Sequence, residues 1–438
     1  MFQLSSPVIV QWETTPLCNH RCIHCYNYWR EKDGSIFNYS IPKNTDAIYS
    51  RTINEILKNQ VLHVVVTGGE PLLVFDQIYP YLKILKKHHI FIHINSNLTL
   101  LTSLIARKIK ALNIPILVSV PSYDHQTTAF ITNSPHAFSK IEKGIKLARR
   151  YNIELLVNMV ITKINLDQIY QTAKYIKELG INTFGASKAC TPINCDDFSA
   201  YTLTLEETRS IFSQLMKIEK KLNLKVASFI GYPTCMFTGR NLTDFTKARI
   251  CHAGQTTCTI GSNGEIRSCP HLDKVYGNVM DDDLKKSWAK MAEWRDGSLT
   301  PEQCLHCKLR DSCAGGCKVE ALKRFGKLSL PDPYADFTNH LEKLSRGDKI
   351  NLPTHITGDF IVNPKLIFRK EDSGGILYGR KLVQIDDPLF FFLKEKNGQK
   401  VIVDDFINAL GWSKESAKKF YACFVNDDIL IKSVSKTS

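Results

Sequence analysis

Six short runs of β-branched and apolar residues in the first half of the chain alternate with stretches of helical period. The runs are "VIVQWETT" (8–15), "LHVVVTGGE" (62–70), "FIHIN" (91–95), "PILVSV" (115–120), "ELLVNMVIT" (154–162) and "TFGAS" (183–187), and the amphipathic stretches between them fall at 45–59, 76–88, 99–111, 137–151 and 167–179. Strands that are apolar throughout and are separated by helices belong in a parallel sheet covered on its faces, with right-handed crossovers. Six βα units of this kind predict a partial or complete barrel, and in such barrels the chemistry sits at the C-terminal ends of the strands.

Three thiols fall at that place. "CNHRCIHC" follows the first run, with Cys18, Cys22 and Cys25 in a C-x3-C-x2-C spacing; "GGEP" (68–71) follows the second run and "SN" (96–97) the third. The chain has 438 residues, 43% of them apolar, enough for two or three domains with a sizeable core. Its N-terminus has no secretory pattern, and no stretch offers about 18 uninterrupted apolar residues. A cytoplasmic protein with no membrane partner is therefore expected, and its fourteen cysteines point to metal ligation, not a disulfide framework. The net charge of +14 is spread along the helices without a basic tail, which fits a solvated surface that favours acidic peptides and predicts no nucleic-acid partner. Three thiolates in one loop could hold zinc, with His20 or His24 as fourth ligand, or a cubane with one open iron. Gly68 and Gly69 allow close approach to the backbone where the strand ends, and Glu70 can accept a hydrogen bond from an ammonium group.

Taken together, C-x3-C-x2-C, "CYN" (25–27) and "GGEP" resemble the radical S-adenosylmethionine superfamily over residues 8 to 190. The resemblance implies a [4Fe–4S] cluster on Cys18, Cys22 and Cys25, whose open iron binds the amino and carboxylate groups of S-adenosylmethionine, and a reductant such as flavodoxin or ferredoxin. It implies a cofactor cradle of Gly68, Gly69 and Glu70, with Tyr26 beside the adenine and Asn97 and Ser119 near the ribose or the methionine carboxylate.

A second field of cysteines occupies 251–317: Cys251, Cys258, "GSNGEIRSC" ending at Cys269, then "CLHCKLRDSCAGGC" with Cys304, Cys307, Cys313 and Cys317. Seven cysteines exceed one tetrahedral site. Their spacing resembles the SPASM extension of radical S-adenosylmethionine enzymes, which carries auxiliary [4Fe–4S] clusters. The resemblance implies one cluster on Cys251, Cys258, Cys269 and Cys317, and a second on Cys304, Cys307 and Cys313. The last cysteine of the family pattern, in a "DPYC" context, is replaced here by Ala335 in "PDPYADF". The second auxiliary cluster is accordingly expected to keep an open or water-bound iron; the alternatives are another ligand such as Asp336, or no cluster at that site. Cys190 and Cys195, after the sixth run, and Cys235, in "GYPTCMFTG", are candidate hydrogen-atom donors at the barrel mouth, and Cys423 is expected in an apolar core.

After a polar stretch the last hundred residues change character. "KLIFRKEDSGGILYGRKLVQID" reads as two strands around "EDSGG", and three short helices follow. The order resembles PqqD-like peptide-recognition domains, which bind a leader peptide as an added strand; a winged-helix-like packing or dimerisation module is the alternative. The expected architecture is α/β: a partial (β/α)6 TIM-like barrel at 1–235, a cysteine-rich iron–sulfur domain at 236–340, a linker at 341–362 and a small α+β domain at 363–438. The resemblances imply a maturase that abstracts a hydrogen from a residue of a leader-bearing precursor peptide to form a thioether or carbon–carbon crosslink. The alternatives are an epimerase, an anaerobic sulfatase-type maturase, and a metal-stabilised binding protein without radical chemistry.

Overall fold

The computed structural model describes residues 3–27, 29, 45–192, 197–237, 250–313, 315–337, 359–379 and 382–433. Two compact units emerge: residues 6–343, and residues 344–438 together with 1–5.

The larger unit follows the alternation. Its elements run β1 (Ile9–Glu13), α1 (Thr45–Lys58), β2 (His63–Thr67), α2 (Phe75–Lys87), β3 (Phe91–Ser96), α3 (Ser103–Ala111), β4 (Ile116–Ser119), α4 (His125–Thr132), α5 (Ala137–Arg150), β5 (Leu155–Ile161), α6 (Ile169–Glu178), β6 (Thr183–Lys188), α7 (Leu205–Leu222) and β7 (Lys225–Ala227). β1 to β7 pair in sequence order and all in parallel. Alternation within the strands divides the sheet's faces: Val10 and Trp12 are fully buried, and the Trp12 ring meets Tyr49 of α1 edge-on at 5.4 Å. In β5 the residues Leu155, Val157, Met159 and Ile161 are buried, while Leu156, Asn158 and Val160 on the opposite face are half-buried.

Helix ends carry local signals. Thr204 and Glu207 close a capping box at the start of α7, and Asn223 ends it in the left-handed conformation. α4 was not legible in the sequence, because "HQTTAFIT" is short and rich in β-branched residues; Asp124 starts it by accepting from the Thr127 amide at 2.7 Å.

The sheet exceeds six strands. β8 (Thr257–Ile260), from the second cysteine field, returns to lie parallel against the outer edge of β1, and β9 (Glu265–Arg267) and β10 (Val275–Asn278) extend it antiparallel. The order is β10-β9-β8-β1-β2-β3-β4-β5-β6-β7, a partial barrel with β10 and β7 as its edges among the described residues. β7, at three residues, and β8, hidden among cysteines and threonines, lack the apolar run that marks a strand.

In the smaller unit, β12 (Ile367–Glu371), β13 (Gly374–Tyr378) and β14 (Leu382–Ile385) form an antiparallel meander, and β15 (Lys400–Val401), β11 (Phe360–Val362) and β16 (Leu430–Lys432) a second small sheet. Helices Asp387–Glu395, Val403–Leu410 and Lys414–Asn426 pack a core that includes Phe390, Phe392, Phe406, Tyr421 and Phe424. Two sequence expectations change here. Gly374 and Gly375 belong to a strand and not to the turn: a Cβ on Gly375 would lie 1.9 Å from the Phe390 ring, so the glycine makes room for the aromatic. Cys423 is half-buried; Ala422 and Phe424 take the core face instead. Of the stretch read as linker, residues up to 358 lie outside the described residues, and Phe360–Val362 form β11.

Candidate functional site

The first cysteine loop is seated on the end of β2 by its backbone. The amides of Gly69 and Glu70 donate to the carbonyls of Thr15 and Leu17 at 2.7 and 2.8 Å, and Thr14 donates to Thr67 at 2.9 Å. Gly68 has φ +125°, and a Cβ on Gly69 would stand 1.9 Å from the Leu17 oxygen, so the strand end and the loop approach closer than any side chain permits. Within the loop the Cys25 amide donates to the Cys22 carbonyl at 3.0 Å, and the His20 amide to the Cys18 sulfur at 3.4 Å.

Glu70 is buried, with both oxygens engaged. Oε1 accepts from the Leu72 amide at 3.0 Å and the Ser96 hydroxyl at 2.7 Å, and Oε2 from the Asn97 amide at 2.8 Å. Burial raises its carboxyl above the usual range, and these donors oppose the shift. The carboxylate thereby fixes the turn after β3, and Asn97 Nδ2 reaches Asn19 Oδ1 at 2.9 Å and stands 4.0 Å from the Cys18 sulfur. Ser119 is exposed at the end of β4 in register with Asn158, two strands beyond the loop.

Tyr26 joins the two cysteine fields. Its ring stacks on His271 with centroids 4.1 Å apart, its hydroxyl is hydrogen-bonded to the Thr67 side chain, and it lies within electrostatic reach of Glu13, Cys25 and Cys269. Below it lies a pair that the sequence reading missed. Arg267 and Glu13, both fully buried, form an ion pair, and Arg267 also donates to the carbonyls of Pro270 at 3.1 Å and Leu272 at 2.9 Å. Burial raises the Glu13 carboxyl, and the Arg267 guanidinium opposes that shift and holds the pair charged. The available signal was a carboxylate at the end of an apolar strand.

A second buried pair stands at the end of β6. Lys188 Nζ, at the end of β6, lies 2.6 Å from Glu320 Oε1 and 4.4 Å over the Tyr334 ring, while Glu320 also accepts from the Thr191 amide at 3.2 Å. Around it gather Cys190, Cys251, Cys269 and Cys317, but not Cys258. Cys317 lies within electrostatic reach of both Cys251 and Cys269, and the Cys190 thiol donates to the Cys317 sulfur, which holds Cys317 down and Cys190 up. Cys258 is buried in β8 opposite Val10, and burial alone raises its thiol. Asp332 holds the Cys317 amide at 2.7 Å and the Tyr334 amide at 2.9 Å. Cys235 is buried beside Cys313, with the Thr234 amide donating to the Cys313 sulfur at 3.2 Å. Both described candidates for hydrogen donation therefore stand among the auxiliary cysteines; Cys195 lies outside the described residues.

No disulfide joins the thirteen described cysteines. Among the described residues no three Cys, His, Asp or Glu side chains form a group that could hold a single metal ion. A cubane sets a different requirement, because each thiolate binds its own iron. The loop fits such a guest: its thiols share one turn of backbone seated on two glycines, and buried His24 Nδ1, Asn27 Oδ1, Ser268 Oγ and His271 Nδ1 beside the two cysteine fields have no hydrogen-bond partner. Burial depresses the His24 and His271 rings to about 4, so both are neutral at pH 7.

Residues 12–182 match the Radical SAM superfamily, and residues 251–308 match the SPASM family, an iron-sulfur cluster-binding domain. The chain is 24% identical over 348 residues to an AdoMet-dependent heme synthase of Methanosarcina barkeri, covering 75% of this chain and 96% of that protein. It is 23% identical to the mycofactocin maturase MftC of Mycolicibacterium smegmatis, covering 75% and 83%. Its fold is similar to that of Streptococcus suis SuiB, in crystal structures bound to S-adenosylmethionine (TM-score 0.60, 21% identity, 76% of this chain and 78% of that one) and to the precursor peptide SuiA (0.60, 19%, 77% and 77%). No described helix is long and apolar enough to cross a membrane.

Proposed function

Because the chain is a radical S-adenosylmethionine enzyme with a SPASM iron–sulfur domain, using [4Fe–4S] clusters and S-adenosylmethionine, we propose that it modifies a ribosomally made precursor peptide by forming a thioether or carbon–carbon crosslink. When bound, the cofactors supply a 5′-deoxyadenosyl radical that abstracts hydrogen from the substrate. Cys18, Cys22 and Cys25 hold the cluster that binds S-adenosylmethionine. Gly68 and Gly69 let its backbone seat form, Glu70 positions Asn97, and Tyr26 with its partner His271 walls the space between the loop and the second cysteine field. Ser119 stands farther along the strand ends, where it would lie near the ribose or the methionine carboxylate. Cys251, Cys258, Cys269 and Cys317 hold the first auxiliary cluster, and Cys304, Cys307 and Cys313 contribute to the second. The barrel and iron–sulfur domains meet near residue 235, and the protein works in the cytoplasm with a flavodoxin or ferredoxin as reductant.

The observation that carries the peptide reading is the C-terminal unit. β12 and β14 are the outer strands of its meander, and among the described residues neither pairs with a strand on its outer side. Such edges take an extended peptide as an added strand, so the leader site lies within residues 366–381, of which 380 and 381 are outside the described residues, together with the strand that follows. The kinship with a heme synthase supplies the competing substrate class. Full-length protein is incubated anaerobically with S-adenosylmethionine, a reductant and the short peptides encoded beside its gene, then separately with an iron porphyrin precursor. Crosslinking appears as the loss of two hydrogens from a peptide that carries its leader; turnover of the porphyrin alone would replace the peptide reading.

A further inference from the structure

The pattern of the second auxiliary site lacks its last cysteine, since Ala335 cannot bind iron. The fold brings another thiol to that place. Cys235 lies in a single turn, Thr234–Met236, after β7, and is buried to 9% exposure beside Cys313 at 8%. The Thr234 amide donates to the Cys313 sulfur at 3.2 Å, so the turn carrying Cys235 is fastened to a ligand of the site. On the other side, the Asp336 amide, next to Ala335, donates to the Cys235 thiol. Arg209 locks the two segments together: Nε donates to the Met236 carbonyl at 2.5 Å and Nη2 to Asp336 Oδ2 at 2.7 Å. That ion pair occupies the Asp336 carboxylate, the alternative ligand weighed from the sequence. Apart from burial and the Asp336 amide, the groups that act on the Cys235 thiol are Cys313, Cys304 and Cys307, in that order.

We infer that Cys235 supplies the fourth thiolate of the cluster held by Cys304, Cys307 and Cys313, in place of the cysteine missing at Ala335. The inference rests on the reading of those three as ligands. Binding releases the thiol proton to solvent and leaves each iron with one protein thiolate, so this cluster is closed and does not bind substrate. A soft thiolate from a buried turn suits a cubane better than the carboxylate of Asp336. Cys235 is then no hydrogen-atom donor. The same residues give the site a third anchor: one ligand after β7, two around the turn Glu302–Cys304, one at the end of the helix Arg310–Cys313.

The test uses full-length, anaerobically reconstituted protein. Iron and sulfide are counted, and the cluster signals are followed by paramagnetic resonance, in the wild type and in Cys304→Ala/Cys307→Ala, Cys235→Ser, and Cys235→Ser/Ala335→Cys. The double alanine variant should lose one cluster; if it keeps the wild-type content, the three-cysteine site itself is wrong and the inference falls with it. If it does lose one, Cys235→Ser should release the same cluster to a chelator about tenfold or more faster and alter its signal, while the signal of the Cys18 loop stays unchanged. Ala335→Cys in that background should restore both. Unchanged lability and spectrum in Cys235→Ser would overturn the inference alone. A readout on the unaltered chain guards against misfolding: as a chelator strips the wild-type protein, alkylation mapped by mass spectrometry should reach Cys235 in step with Cys304, Cys307 and Cys313. Alkylation of Cys235 before that cluster is lost would also overturn it.

Discussion

Arg267 and Glu13 form a fully buried ion pair that joins the last residue of β1, five positions before Cys18, to the strand that leads into Cys269. The guanidinium lies 5.7 Å over the Trp29 ring and also holds the carbonyls of Pro270 and Leu272. One side chain thus sets the spacing between the loop of the first cysteine field and the turn of the second.

Removing one partner leaves a buried charge without its counterion, which costs about 3–5 kcal/mol. Arg267→Met should lower the thermal midpoint of the holoprotein by several degrees, and adding Glu13→Gln should recover part of the loss because no charge is then stranded. Melts of the wild type, both single variants and the double variant, run anaerobically at equal iron content, measure the coupling.

Gly69→Ala tests the seat of the loop. The added methyl meets the Leu17 carbonyl, which is backbone and cannot turn aside, so the Cys18–Cys25 loop must shift. Displacements on the order of 1 Å cost about 10²-fold in rate. We expect deoxyadenosine formation to fall by that order while the auxiliary clusters keep their iron, as read by product assay and iron counting together.

His63 and His93 predict an acid limit. Their rings touch through Nε2 and Nδ1 at 2.7 Å, and burial lowers them to about 3 and about 4. In the unfolded chain both titrate near 6.5. The stability they contribute is therefore complete above that value and is lost as the pH falls from there toward 4, by up to about 1.4 kcal/mol per pH unit for each ring. His24 and His271 act in the same direction. The midpoint of thermal unfolding should drop between pH 7 and 5, and His63→Leu/His93→Leu should flatten that slope.

Ending the chain at residue 343, the boundary between the two units, should preserve deoxyadenosine formation. Modification of the precursor should fall at limiting peptide, since the leader site that raises the local substrate concentration is gone. Equal modification by both proteins at limiting peptide would assign the C-terminal unit a role other than recognition.

The parts legible in the sequence are those encoded locally. Six strands, most of the helices, the cysteine loop and the glycines after β2 follow from periodicity and from residue types whose chemistry is restrictive. The parts that escaped depend on pairing across long separations. β8 is a strand because β1 offers it an edge, and nothing in "TCTI" says so. Arg267 and Glu13 are unremarkable until the fold brings them together. Cys235 lay in view as one of several uncommitted thiols, but its nearness to Cys313 is a product of β7 and the turn after it. Gly374 and Gly375 read as a turn because the Phe390 ring that requires a bare backbone comes fifteen residues later.

The place of β1 has a consequence for synthesis. Its outer edge pairs with β8, and Ile9 lies opposite Thr257, so about 250 residues separate the two halves of one ladder. At 5–20 residues per second the nascent chain carries that edge unpaired for roughly 12 to 50 s, with β2 to β7 already able to assemble beside it. An uncovered strand of this kind invites pairing with another chain. The Cys18–Cys25 loop leaves the ribosome early, yet the wall that Tyr26 shares with His271 cannot form until the second cysteine field has emerged. The wall of the first site is therefore complete only once residue 271 has left the ribosome, and until β8 has emerged the edge of β1 stays open to pairing with another chain.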